Sequence, residues 1–199
     1  MRDGEPTERS SAGNAEGFES SQRTLVLRAM DGDLRAFEAL VDQYQRPLRS
    51  FCHRMVRDAQ EAEDIVQDTF LTVWRRFDTL HDPARFKAWI YRLASNACVD
   101  LIRKRETRRS VPTDSSDLQD FADLGVSPER NAEVSEAVRA LEQVLAQLPP
   151  EQKLAWVLFE MQGESYAQIA DILKVTENSV RGRIHRARMS IVQGMEGWL

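Results

Sequence analysis

Apolar residues recur at helical spacing along most of this chain. Phe37, Leu40, Val41, Tyr44, Leu48 and Phe51 step by three and four, which predicts an amphipathic helix that Pro47 kinks or splits. Asp31-Gly32-Asp33 closes a shorter helix beginning at Thr24. A further helix spans Asp58 to Asp78: Asp58 suits the N-cap, the acidic first turn suits the helix dipole, and Val66, Phe70, Val73 and Phe77 form its buried stripe. Thr79 to Ala84 reads as a loop, with Pro83 placed to start the next helix. That helix, Arg85 to about Arg105, carries Phe86, Ile90, Leu93, Ala97 and Leu101 on its core face. Ala132 to Gln147 is helical with Val134, Val138, Leu141, Leu145 and Leu148 inward. After Leu148-Pro149-Pro150-Glu151 another helix points Leu154, Leu158 and Met161 inward and ends at Gly163.

The last periodic stretch, Gly163 to Ile191, reads as two short helices joined by a tight turn. Ser165 with Gln168 makes a capping box, and Tyr166, Ile169, Ala170 and Leu173 share one face. Lys174 and Val175 turn the chain, and Thr176 caps a helix striped by Val180, Ile184, Ala187 and Ile191. Asn178, Arg181, Gly182, His185 and Arg186 lie off that stripe, and no acidic residue occurs between Asn178 and Gln193. This is the layout of a helix-turn-helix whose second helix enters the DNA major groove, where Arg and Asn match guanine and adenine edges. Gly182 weakens the helix but allows a close approach to a phosphate or base. The plain alternative is a helical hairpin with a solvated basic face.

Composition refines this picture. With only seven Pro and nine Gly among 199 residues, the fold class is all-α: two small helical domains joined by a flexible acidic linker. The net charge of −5 looks wrong for a nucleic-acid binder, but charge is segregated. Arg103 to Arg109 holds five positive charges against one negative, whereas Ser110 to Glu136 holds seven acidic residues and one Arg. Fields screened within about 10 Å respond to such local runs rather than to the sum. Residues 110–131, with Pro112, Gly125 and Pro128, read as the linker, and 1–23 as a disordered extension. Cys52 and Cys98 are isolated, which suits reduced thiols. No long apolar run or signal peptide is present, so a cytoplasmic location without membrane insertion is expected.

Two further faces carry candidate chemistry. Glu61, Asp64, Asp68 and Arg75, with Gln67 alongside, form either a solvated face or a docking surface for a protein. Trp89, Arg92, Asn96, Val99 and Arg103 mix an aromatic ring, an amide and cations, which suits the stacking of single-stranded bases; the alternative makes Trp89 a second core stripe. His53, His81 and His185 sit in unrelated settings, and Glu63-Asp64 points to different helix faces. A catalytic site, a metal site and a cofactor are therefore not expected.

Two stretches together resemble the extracytoplasmic-function (ECF) sigma factors of bacterial RNA polymerase. AEDIVQDTFLTVW (Ala62 to Trp74) and the spaced pattern from Phe86 to Arg103 are similar to the family's second conserved domain. LPPEQ, the pattern Tyr166 to Leu173, and VRGRIHRAR (Val180 to Arg188) are similar to its fourth. The resemblance implies domains at 24–109 and 132–199. It implies that Asp58, Glu61, Asp64, Gln67, Asp68 and Arg75 dock on the coiled coil of the polymerase β′ clamp, with the β flap a further contact. The loop Phe77 to Pro83, with Asp78, and the helix bearing Trp89, Tyr91, Arg92 and Asn96 would open the −10 element and capture a flipped base. Arg103, Lys104, Arg105, Arg108 and Arg109 would hold phosphates. Thr176, Asn178, Ser179, Arg181, Gly182, Arg183, His185 and Arg186 would meet the −35 element as duplex, and the linker would thread toward the polymerase active centre. An anti-sigma factor is an expected partner, and the free chain is expected to be a monomer. Lys174 stands where the family usually has Gly, and Gly182 where Ser is usual. The competing function is a stand-alone helix-turn-helix repressor or activator, which would bind DNA without polymerase.

Overall fold

The structure, a computed structural model, describes residues 21–109 and 132–196; the expected extension up to residue 20 and the expected linker 110–131 lie outside them. The described residues are helical and contain no strand. They run α1 (21–30), α2 (Leu34–Val56), α3 (Ala59–Arg75), two short 3-10 turns at Phe77–Thr79 and Pro83–Arg85, and α4 (Phe86–Arg109). From residue 132 come α5 (Ala132–Gln147), α6 (Pro150–Trp156) continued by a π turn at Val157–Met161, α7 (Tyr166–Leu173) and α8 (Glu177–Gly194). Two compact units divide the chain: residues up to 53 with 57–94, and residues 54–56 with those from 95 onward.

In the first unit the chain enters helix at residue 21, before the expected Thr24. Gln22 there donates a side-chain hydrogen bond to the Tyr44 hydroxyl, and Val26 and Ala29 are buried. Gly32 takes a positive φ of 89°, and Asp33 caps α2 by accepting from the N–H groups of Arg35 and Ala36. Hydrogen bonds from Arg28 and then from Ala36 hold the Asp33 carboxyl below its ordinary value. Pro47 neither splits nor ends α2, which is one helix of 23 residues. Asp58 caps α3 as expected, accepting from Glu61 N–H at 2.8 Å, and Val66, Phe70, Val73 and Phe77 are buried. The core centres on Leu40, Leu48, Phe51, Phe86 and Ile90. On α4 the buried column is Phe86, Trp89, Ile90, Tyr91, Ala94, Ser95 and Cys98, so the face expected through Leu93, Ala97 and Leu101 is only half-buried.

The second unit packs α8 against α5, α6 and α7. Gly194 allows the close approach of α5, since a Cβ there would stand 2.5 Å from the Val144 side chain. The last carbonyls of α2 belong to this unit, and cations satisfy two of them. Lys153, itself buried, donates to Met55 O at 2.7 Å, and Arg105 donates to Val56 O at 2.7 Å. These are groups that a helix end leaves without intrahelical partners, and positive charge suits that end of the dipole. Leu148, Leu154 and Leu158 are buried as expected, and Leu141 and Leu145 half-buried. Met161 is exposed, contrary to expectation. The wide turn, closed by Gln162 N–H on Val157 O, turns Met161 off the inward stripe. On α7 the buried pair is Ile169 and Ile172, a slight rotation from the expected stripe; Tyr166, Ala170 and Leu173 are half-buried.

Lys174 adopts the left-handed conformation (φ 54°, ψ 46°) that its place in the turn demands. That conformation costs an L residue about 1–2 kcal/mol. Lys174→Gly removes it, at the expense of a more flexible unfolded chain and of an exposed ion pair to Asp171 at 2.7 Å. The expected net gain is about 0.5–1 kcal/mol, measured as a higher urea midpoint at unchanged slope. Asp33→Ala should lower the melting temperature at neutral pH. Because the folded carboxyl titrates below its unfolded value, the stabilisation is complete above that value and is lost as pH falls. The gap between the two melting curves should therefore close on acidification.

Candidate nucleic-acid interface

The pair α7–α8 is built from its caps. Gln168 N–H donates to Ser165 Oγ at 3.3 Å, and Ser165 N–H donates back to Gln168 Oε1 at 2.8 Å, which completes the capping box. Thr176 Oγ1 accepts from Ser179 N–H at 3.2 Å and starts α8. Ile169 and Ile172 on α7 and Val180, Ile184 and Ala187 on α8 are all buried, so the opposite face of α8 is committed to solvent. Asn178, Arg181, His185 and Arg186 are exposed there, with Gly182 and Arg183 half-buried.

The arginines of α8 are held in different ways. The Arg181 guanidinium lies 5.5 Å from the centre of the Tyr166 ring and 3.9 Å from Glu177. Arg188 donates twice to Glu160, at 2.7 and 3.0 Å, and lies 5.2 Å from the Phe159 ring. The Glu160 hydrogen bond is the main reason its guanidinium holds its proton more tightly than usual. Phe159 in turn stacks on Tyr166, with centroids 4.9 Å apart and planes at 12°. These supports escaped the sequence reading, because the π turn that aims Phe159 and Glu160 leaves no periodic trace.

The residues expected at the −10 element divide sharply. Phe77, Trp89 and Tyr91 do not form an open stacking platform. Phe77 stacks on Phe86 at 5.8 Å and 17°, Trp89 lies 6.1 Å from Phe77 and 6.2 Å from Phe86, and Tyr91 meets Phe51 edge-on at 5.5 Å. Of the two readings of Trp89, this packing is the second core stripe. The physical reason is area: the short turns at 77–85 bury only Phe77 and Leu80, and Phe77 finds its contacts on Phe86 and Trp89. Asp78, Thr79, His81 and Asp82 stand exposed above it, Asp82 capping the second turn by accepting from Ala84 N–H at 3.0 Å. On α4, Asn96 is exposed and Arg92 half-buried. Further along, Lys104 and Arg108 are exposed, Arg103 is paired with Glu151, and Arg105 caps α2 as described.

On α3, Asp64, Gln67, Asp68 and Arg75 are exposed, while Asp58 and Glu61 are half-buried. The same face holds apolar residues that the sequence reading passed over: Leu71 and Trp74 are 51% and 40% exposed, and Leu34 of α2 is 62% exposed. With Phe37, whose ring lies 4.9 Å from that of Trp74, they border a groove of about 520 Å³ edged by Glu63 and Gln67. The available signal was Leu71 falling four residues after Gln67 and Trp74 three residues after Leu71, outside the core stripe.

Comparison with known proteins agrees in both halves. The family model for sigma-70 region 2 matches residues 40–108, and that for sigma-70 region 4 matches residues 138–191. RNA polymerase sigma-H factor of Pseudomonas aeruginosa is 32% identical over 187 residues, covering 89% of this chain and 95% of that protein. ECF RNA polymerase sigma factor SigM of Mycobacterium tuberculosis is 31% identical, covering 88% and 85% respectively. The solved structure of CnrH in complex with the cytosolic domain of CnrY superposes with a TM-score of 0.66 at 27% identity, covering 88% of this chain and 97% of that one. With its helix-turn-helix, its acid-edged helix pair and relatives matched over nearly their full length, the chain belongs to the ECF sigma factors, which direct RNA polymerase to promoters and start transcription there.

Proposed function

We propose that α8 reads the −35 element as duplex, that α4 and the turns before it act at the −10 element, and that the face of α3 docks on the polymerase clamp. The observation that carries the first assignment is the exposed face of Asn178, Arg181, His185 and Arg186 on a helix capped at Thr176 and buried along Val180, Ile184 and Ala187. An α-helix fits the major groove, and these are the side chains that read its edges or hold its phosphates. Thr176 acts through the cap, and the N–H groups it leaves at the start of α8 suit a phosphate.

At the −10 element the work falls to exposed polar groups: Asp78 on the turn, and Asn96, Lys104 and Arg108 on α4. Phe77 and Trp89 act from beneath, by fixing the turns, and Tyr91 by packing on Phe51 in the core. Unpairing a base costs a few kcal/mol. Contacts from the turn and the cations offset that without opening the aromatic core. The domains serving these roles are 24–109 and 132–199, with the chain acting in the cytoplasm beside its polymerase.

The face of α3 combines exposed carboxylates with Leu71 and Trp74 over an apolar groove. An apolar centre within a charged rim is the make-up of a protein interface. Core polymerase is the occupant proposed here. Sigma factor RpoE from Bartonella quintana, 22% identical, was solved in complex with the anti-sigma factor NepR, and an anti-sigma factor is proposed as a competing partner of this chain. A stand-alone repressor has no use for this surface, which favours the sigma-factor roles over that alternative.

Two tests follow. Arg181→Ala in the holoenzyme should weaken promoter binding at least fivefold and reduce the slope of log affinity against log salt by about 0.9 if it meets a phosphate. If promoter affinity and its salt dependence both stay unchanged, Arg181 has no part in the contact. Replacing Asp64 and Asp68 together with Lys should lower core-polymerase affinity at least tenfold in a competition assay, with the melting temperature held. Undiminished binding would remove α3 from the interface.

A further inference from the structure

Gly182 is the one residue on the outward side of α8 without a side chain, and the structure shows what fills its place. A Cβ built there would stand 3.3 Å from Nη1 of Arg186 and 3.7 Å from Nη2. The Arg186 guanidinium is therefore folded back over the bare backbone of Gly182, one turn towards the start of α8. Side chains on a helix lean that way in general, and the missing Cβ lets the head group lie a few tenths of an ångström closer to the helix surface than a side chain at 182 would allow.

The consequence is one of reach. A recognition helix contacts base edges with its N-terminal residues. Arg186 is the tenth residue of α8, so its Cα sits about 13 Å along the axis from Glu177, beyond that first stretch. Folding back brings its charge to the level of Gly182, about 7 Å along. Arg181, the neighbour on that level, leans instead on the Tyr166 ring at 5.5 Å and towards Glu177 at 3.9 Å. Arg186 has no carboxylate partner among the described residues, so its five donors are available.

We propose that Gly182 is a specificity-determining residue of the −35 contact, acting by placing the Arg186 guanidinium where it can pair with a guanine edge near the start of α8. This rests on the assignment of α8 to the −35 element. It deepens that assignment by naming a base class and the pair of residues that selects it. The added side chain of any other residue displaces the guanidinium by a few tenths of an ångström or more. A bidentate contact to O6 and N7 is sensitive to such a shift, whereas a phosphate contact adjusts to it.

The experiment uses holoenzyme assembled from the full chain and core polymerase, selecting from promoters with a randomised −35 element. Wild type, Gly182→Ala, Arg186→Ala and the double variant are compared. Ala favours helix over Gly, so folding is not at risk, and equal or higher melting temperature checks this. Gly182→Ala should reduce discrimination at one or two adjacent base pairs by about five- to tenfold. Arg186→Ala should abolish preference at those same pairs, and the double variant should match Arg186→Ala alone. An unchanged Gly182→Ala profile, a change at other base pairs, a uniform loss across all sequences, or additive behaviour of the two substitutions would each overturn the proposal. Loss of the −35 assignment itself reads differently: wild-type holoenzyme would show no sequence preference in the randomised element.

Discussion

The direction in which α8 leaves α7 is the constraint on which the helix-turn-helix half of the molecule depends, and one backbone residue sets it. Lys174 must turn left-handed for Val175 N–H to close on Ala170 O at 3.1 Å and for Thr176 to reach the extended conformation of a cap. An eight-residue helix such as α7 does not persist by itself in water. It persists here because the capping box satisfies its first turn and Ile169 and Ile172 are buried. The strain at Lys174 is thus offset by packing and capping on both sides of it. The outward face of α8 then has no structural duty, and that freedom is what allows its side chains to be chosen for a ligand.

The same logic explains why the aromatic residues near the turns at 77–85 are inside. Burying a large apolar side chain contributes about 1.5–3 kcal/mol, and Phe77, Phe86 and Trp89 are all buried together. Pulling Trp89 out to stack on a base would lose that contribution and leave the turns at 77–85 without a floor, in exchange for about 1–3 kcal/mol of stacking. The two terms are of equal size, so the exchange has no driving force. A rigid floor that presents Asp78, Thr79 and His81 at fixed positions is the better use of the same rings. The cost of ordering those polar groups is met at folding rather than at binding.

Much of this was legible in the residues. Each cap named from the sequence, Asp58, Ser165 with Gln168, and Thr176, forms the hydrogen bond that its spacing implies, while Asp33, read only as closing the first helix, also caps the second. The stripe of α3 is buried where periodicity puts it, and so is that of α8 from Val180 to Ala187, with Ile191 only half-buried. What failed was local. Helical periodicity assumes uniform turns, and the π turn at Val157–Met161 breaks that assumption, which put Met161 inside on paper and hid the roles of Phe159 and Glu160. Amphipathic reasoning also assigns each residue to one face. On α4 both candidate faces begin in the core, since Phe86 and Trp89 pack against the same Phe77 ring. The groove beside Trp74 was missed for the converse reason: apolar side chains lay on a face already classified as polar.

Charge completes the account of how an acidic protein of net −5 meets nucleic acid. Counting cations on α8 overstates its field. Arg188 is neutralised by Glu160 at 2.7 Å, and Arg181 is partly screened by Glu177 at 3.9 Å. The Arg186 head group, without a carboxylate partner among the described residues, lies beside Gly182. At physiological salt a unit charge is felt over about 8 Å, roughly a turn and a half of helix, so the field around Gly182 is set by the side chains nearby and not by the acidic residues elsewhere in the chain. The field of the helix is therefore uneven, with Arg188 held by Glu160 and the Arg186 head group lying beside Gly182 without a carboxylate.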